Sequence, residues 1–207
     1  MPQIVTNTYF VNDLHIPHAD NTQSIGVEST PITQLNDCCA VVERDLLLNA
    51  LGLTLYNELQ TALVDIANAD QKWKDLVNGV EYDGKIWEGL SNPKTFITYA
   101  VYYKFLNMES DYWTTFGTVK AEAANAINVT PFYKLTSAWN KFMQKYQSGS
   151  CPFPEYYSGL NWEFIDWYGR HDAVNVSLYE YLRDKADLYN WLPEYFKYYQ
   201  SVNTFGI

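Results

Sequence analysis

The sequence predicts a mainly α fold: a helical bundle body with extended N- and C-terminal arms and a small β-hairpin or ordered loop near residues 80–90. Three observations carry this. Apolar residues recur at helical spacing in several segments, most of them opened by a capping residue or proline and closed by glycine. Asp83-Gly84 stands between two β-prone pieces, which is a hairpin signal. The two ends, "IVTNTYFVNDLHIPHADN" and "KYYQSVNTFGI", lack helical periodicity.

Taken in order, Ile4–Val11 is β-prone and Pro17 breaks any helix, so residues 1–28 are expected to be an extended arm carrying a strand or an edge-pairing segment. The body, 29–147, starts with a helix capped by Ser29 or Thr30, with Pro31 at its first position and apolar residues at Ile32, Leu35, Cys39, Val42, Leu46 and Leu47. Gly52 should stop it. A second helix follows, with Leu55, Leu59, Leu63 and Ile66 on one stripe. A third spans "DQKWKDLVNG", capped by Asp70 and closed by Gly79. After the 80–90 hairpin, Ser91 or Asn92 caps and Pro93 opens a central helix. Phe96, Tyr99, Ala100, Tyr103 and Leu106 share one face, and Val101, Tyr102 and Phe105 widen it, so burial on more than one side is expected. "SDYWTTFGTVKAEAANAINVT" reads as a loop then a helix. Thr130-Pro131 begins another helix with a stripe of Phe132, Leu135, Trp139 and Phe142/Met143, ended by "SGS". Residues 148–174 are irregular and hold seven aromatics, too many for a segment free in water, so docking on the body or on a partner is expected. Residues 175–199 form a C-terminal helical part interrupted by Pro193, and 200–207 a docking tail.

The chain has 207 residues, enough for one domain with a real core. Its 18 Tyr, 10 Phe and 7 Trp suit an aromatic core and protein interfaces alike. A net charge of −10 argues against a dedicated nucleic-acid binder and against an anionic membrane surface. Cys38, Cys39 and Cys151 have no framework spacing and read as reduced thiols of a cytosol-like compartment. The opening has no secretory leader pattern, which leaves the sequons at Asn128 and Asn175 without weight, and no run approaches the ~18 apolar residues of a membrane span.

No catalytic, cofactor or metal constellation emerges. His15-x-x-His18 approaches a metal spacing, but Pro17 lies between and no cysteine is near; an exposed loop is the simpler reading. His171 stands alone. Glu81, Asp83 and Glu88 form one acidic cluster. Glu155, Glu163 and Asp166 form another, among Tyr156, Tyr157, Trp162, Trp167 and Tyr168. Paired acids beside aromatics admit a carbohydrate-binding or glycoside-cleaving module, although solvated acids in an acidic protein are the favoured reading. The glycines at 79, 84 and 89 are spaced as turns, not as a phosphate loop, and no nucleophile elbow occurs.

The order of features carries more than any single residue. "LG-x-x-LY-x-x-L" at Leu51–Leu59, "LVNG-x-x-Y" at Leu76–Tyr82, "W-E-GL" at Trp87–Leu90 and a final "N-x-FG-I" follow the "YFVNDLHIP" arm. From about Tyr9 to Ile207 the chain resembles head–tail connector (neck adaptor) proteins of tailed bacteriophages of Bacteroidetes hosts, including crAss-like phages. Residues 148–174 fit that family least. The resemblance implies a structural virion protein and no enzyme: a ring, of twelve copies, below the portal. It would join capsid to tail, with DNA passing through its lumen without specific binding. It would be made in the host bacterial cytoplasm and reside at the head–tail junction. The partners implied are other copies, the portal and other neck or tail proteins, with no membrane. A capsid-internal scaffold or cargo protein is the remaining class. Partner docking is expected at Tyr9 and Phe10 in the N-terminal arm and at Phe196, Tyr199, Asn203, Phe205, Gly206 and Ile207 in the C-terminal one, the last residues adding to a sheet edge or seating as anchors.

Overall fold

Helix α1 (Pro31–Val64) is two helices joined at one residue, because Gly52 adopts φ 75° and ψ 169°. That conformation is open to glycine and strained for other residues. It bends the chain where a stop was expected. The computed structural model describes residues 2–16, 31–109, 112–114, 117–119, 132–147 and 174–199. Leu35, Cys39, Leu47 and Ala50 from the first half and Leu59 from the second have no exposure. Cys38 and Cys39 are buried free thiols, and burial pushes both above the ordinary thiol range.

Helix α2 (Gln71–Asn78) buries Trp73, Leu76 and Val77. Asp70 precedes it, but its side chain makes no capping bond; its backbone carbonyl accepts from Trp73 and Lys74 instead. Strands β1 (Val80–Tyr82) and β2 (Lys85–Trp87) then pair antiparallel, Val80 opposite Trp87. Asp83 and Gly84 both have positive φ, 47° and 74°, as the tight hairpin turn requires. The hairpin is locked back onto α2. The Trp87 indole N–H and the Leu90 N–H both donate to the Leu76 carbonyl (2.9 and 3.1 Å), and Ser91 N–H donates to Val77 O. Gly89 passes so close to Gly79 that a Cβ on it would collide with the Gly79 backbone nitrogen. The motifs "LVNG" and "WEGL" are thus two halves of one backbone knot. Residues 174–176 run parallel beside β2, with Ile86 N–H on Val174 O and Val176 N–H on Ile86 O.

Helix α3 (Phe96–Glu109) starts after a turn in which Asn92 accepts from Thr95 N–H and, through its side chain, from Lys94 N–H, so the helix begins later than Pro93. Its apolar residues occupy every side. Ile97 and Val101 are fully buried, and Phe96, Tyr99, Tyr102 and Phe105 nearly so. It packs against both α1 and α4 (Phe132–Gln147). Between them, β3 (Tyr112–Thr114) and β4 (Gly117–Val119) form a second antiparallel hairpin. This corrects the expectation of a loop there: Tyr-Trp-Thr and Gly-Thr-Val are β-prone runs. The Ala-rich stretch after it lies outside the described residues.

The single helix expected beyond Asn175 is two short ones, α5 (Leu178–Asp184) and α6 (Ala186–Tyr189), because Lys185 leaves helical geometry. Ser177 and Glu180 form a complete capping box on α5. The break turns Tyr189 and Trp191 inward. The Tyr189 hydroxyl lies 3.1 Å from that of Tyr181, and the Trp191 indole N–H donates to Ala50 O at 2.8 Å. Pro193–Tyr195 is a 3-10 turn, and Tyr195 covers the Gly52 kink.

The N-terminal arm also departs from expectation. Residues 2–16 form no strand; Asn7–Tyr9 and Asn12–Leu14 are 3-10 turns. The arm meets a helix rather than a sheet edge, so side chains satisfy its amides. The buried Glu43 carboxylate accepts from Ile4 N–H (3.1 Å) and Val5 N–H (2.9 Å), and Asn36 Oδ1 accepts from Asn7 N–H. Val5, Phe10, Leu14 and Ile16 are buried in the common core.

Two carboxylates in this scaffold have opposite pH signatures. Burial raises Glu43 above its ordinary 4.5, only partly offset by the Val5 and Ile4 amides. Burial also works to raise Asp184, but the hydrogen bond and charge of Lys85, 2.7 Å away, hold it below 3.8. Glu43 therefore contributes stability that is present below 4.5 and lost as pH rises through its raised value. Asp184 contributes stability that is present above 3.8 and lost as pH falls through its lowered value. Urea unfolding from neutral to acidic pH should show wild type gaining on Glu43→Gln and losing its advantage over Asp184→Asn. Parallel curves for all three proteins would refute both assignments. In the knot, Gly89→Ala should cost at least about 1–3 kcal/mol and lower the unfolding midpoint accordingly, because it adds a Cβ collision to a φ of 85°.

Candidate docking groove

The last described residues, 196–199, are built into the body by aromatics. Phe196 is buried and stacks on Tyr146 at 4.5 Å, and Tyr146 stacks on Phe142 at 5.4 Å. Tyr199 meets Tyr146, Phe142 and Trp139 edge-on at 5.4, 5.3 and 6.0 Å. Each such pair adds about 0.5–1.5 kcal/mol beyond the area it buries. Polar bonds fix the backbone as well. The Gln147 side chain donates to Tyr199 O (2.9 Å) and accepts from Tyr199 N–H (2.8 Å), while Asn49 Nδ2 donates to the Tyr199 hydroxyl (3.1 Å) and Asn49 O accepts from Lys197 N–H. Burial raises the Tyr199 phenol above its ordinary range, against the pull of the Asn49 bond.

Beside Tyr199 lies a groove of about 660 Å³. Val42 and Leu46 of α1, Ala100 and Tyr103 of α3, and Trp139 and Phe142 of α4 line it, with Tyr199 as one wall. Asp45, Lys104 and Asn107 add polar groups to the lining, and Met108, also in the lining, is 59% exposed. The described lining is mainly apolar and aromatic, with one charge of each sign, Asp45 and Lys104. This is the make-up of a surface that takes large apolar side chains.

The expected docking residues separate into three groups. Phe10 and Phe196 are spent on the chain's own core, which corrects their assignment to a partner: each is 5% exposed or less. Tyr9 is half-buried and donates to Ser91 O at 3.1 Å, and Tyr199 is half-buried as the groove wall. Asn203, Phe205, Gly206 and Ile207 lie outside the described residues, as do His18, His171 and the acidic cluster of Glu155, Glu163 and Asp166. His15, Glu81 and Asp83 are exposed. Glu88 instead pairs with Lys145 at 3.0 Å, and burial lowers the Lys145 ammonium against the pull of Glu88. Among the described residues no three His, Cys, Asp or Glu side chains group as metal ligands. No described helix is long and apolar enough to cross a membrane.

Gln147 and Asn49 were not visible as site residues in the sequence. Their partners are about 50 and 150 positions away, and no local pattern marks them. The capping box could have been read, since Ser177-Leu-Tyr-Glu180 is its signature.

No protein-family model, no curated protein and no solved structure matches this chain.

The aromatic stack makes a paired prediction. Phe196→Ala should lose about 3–5 kcal/mol in urea unfolding. Tyr146→Phe should be neutral or stabilising by about 1 kcal/mol, because the Tyr146 hydroxyl is buried without a partner among the described residues. A large loss on Tyr146→Phe would mean that the hydroxyl is bonded.

Proposed function

We propose that this chain is a structural virion protein, a head–tail connector. It forms a ring of twelve copies below the portal, joins capsid to tail and lets DNA pass through its lumen. The sequence supplies the first support, in the ordered motifs from the "YFVNDLHIP" arm to "N-x-FG-I" that resemble such connectors. The observation that carries the reading is the apolar groove at Tyr199, from which residues 200–207 continue with Phe205 and Ile207 as large apolar side chains. Docking surface and docking segment meet at one point of the chain.

A ring subunit needs two unlike faces, because head-to-tail contacts close a ring. The groove is one apolar face. Another surrounds the Gly52 kink, where Leu53, Leu192 and Tyr195 are exposed. The net charge of −10 suits a lumen that passes DNA, since few cations are available to displace its counterions.

The test is cryo-EM of intact virions at the head–tail junction. The reading expects a twelvefold ring of this chain between portal and tail. Density inside the capsid or on a fibre would overturn it.

A further inference from the structure

We infer that the groove of each copy receives Phe205 and Ile207 of the adjacent copy in the ring; this rests on the connector reading above. Spacing selects the neighbour over the chain's own groove. Tyr199 is itself a groove wall, held in place by Gln147 and Asn49. A segment rooted there would reach its own groove within two or three residues. The anchors stand six and eight residues on, after the polar or small run Gln200-Ser-Val-Asn-Thr204. At ~3.3 Å per extended residue, Phe205 reaches about 20 Å from Tyr199, nearly two helix diameters of about 10–12 Å. That span suits a crossing to the next subunit.

The chemistry of the two parts fits. Residues 200–207 carry no ionisable side chain, and the described lining is mainly apolar and aromatic, its formal charges being Asp45 and Lys104, of opposite sign. A phenyl and a branched aliphatic side chain can enter without burying a charge. Gly206 between them lets the strap backbone approach the groove closely. The contact is head-to-tail, so repeating it around an axis closes a ring.

The test places p-benzoylphenylalanine at Phe205 in virions and irradiates them. Benzophenone joins to nearby C–H bonds, and the groove lining offers those of Met108 and Tyr103. The inference expects a ladder at multiples of 24.0 kDa, with the joined peptides mapping to α3 or α4 groove residues. Met108→Arg, at an exposed position that folding does not need, should reduce the ladder at least tenfold without lowering the unfolding midpoint. If a ring is present but residue 205 joins the portal, stays within its own chain, or maps outside the groove, the inference is overturned and the connector reading stands. If no ring is present, both fall.

Discussion

A helix that buries apolar residues on more than one side needs more than one element to cover it. Helix α3 sets this constraint: a lone amphipathic partner would leave Tyr102 or Phe105 in water. Helices α1 and α4 therefore take two of its faces, and the N-terminal arm, with Leu14 and Ile16, adds to the same continuous core. The arm is held there by polar bonds to its backbone, chiefly from Glu43 and Asn36. A buried carboxylate is a costly way to hold two amides, and the raised Glu43 pKa records that cost. The alternative, two buried N–H groups with no acceptor, costs about 1–3 kcal/mol each.

The same constraint shapes the C-terminal part. Helices α5 and α6 are too short to be stable by themselves. They persist because Tyr181, Tyr189, Trp191 and Phe196 are inserted into the body, where Trp191 and Lys197 bond to the α1 backbone. In the described C-terminal part, folding thus takes up Tyr181, Tyr189, Trp191 and Phe196. At the groove beside Tyr199, Trp139 and Tyr103 are half-buried and Met108 is exposed among the described residues. Aromatic richness thus serves both the core and the surface, and the boundary between the two falls within a few residues.

Much of this was legible in the sequence because it is local. The Gly52 bend, the Asp83-Gly84 turn, the stop at Gly79 and the two-sided burial of α3 all follow from residue type and period. What escaped was set by distant partners. Lys185 breaks a segment of good helical composition because Tyr189 and Trp191 gain more from the core than from a continued helix. Ile4–Val11 is β-prone, yet it meets a helix bearing Glu43 rather than a strand edge. Phe10 and Phe196 looked like surface anchors because an aromatic in an arm has the same sequence whether the arm docks on its own body or on another. Of the candidate site, Tyr199 and the α4 stripe were readable, while the Gln147 and Asn49 clamps were not.

The central physical claim is that residues 196–199 belong to the cooperative core of the chain. Native-state hydrogen exchange on the isolated protein tests it directly. The account predicts that the Lys197 and Tyr199 amides, bonded to Asn49 and Gln147, exchange in the same slowest class as Val101 and Tyr102 of α3. Exchange of Lys197 and Tyr199 through a local opening, orders of magnitude faster than α3, would contradict it.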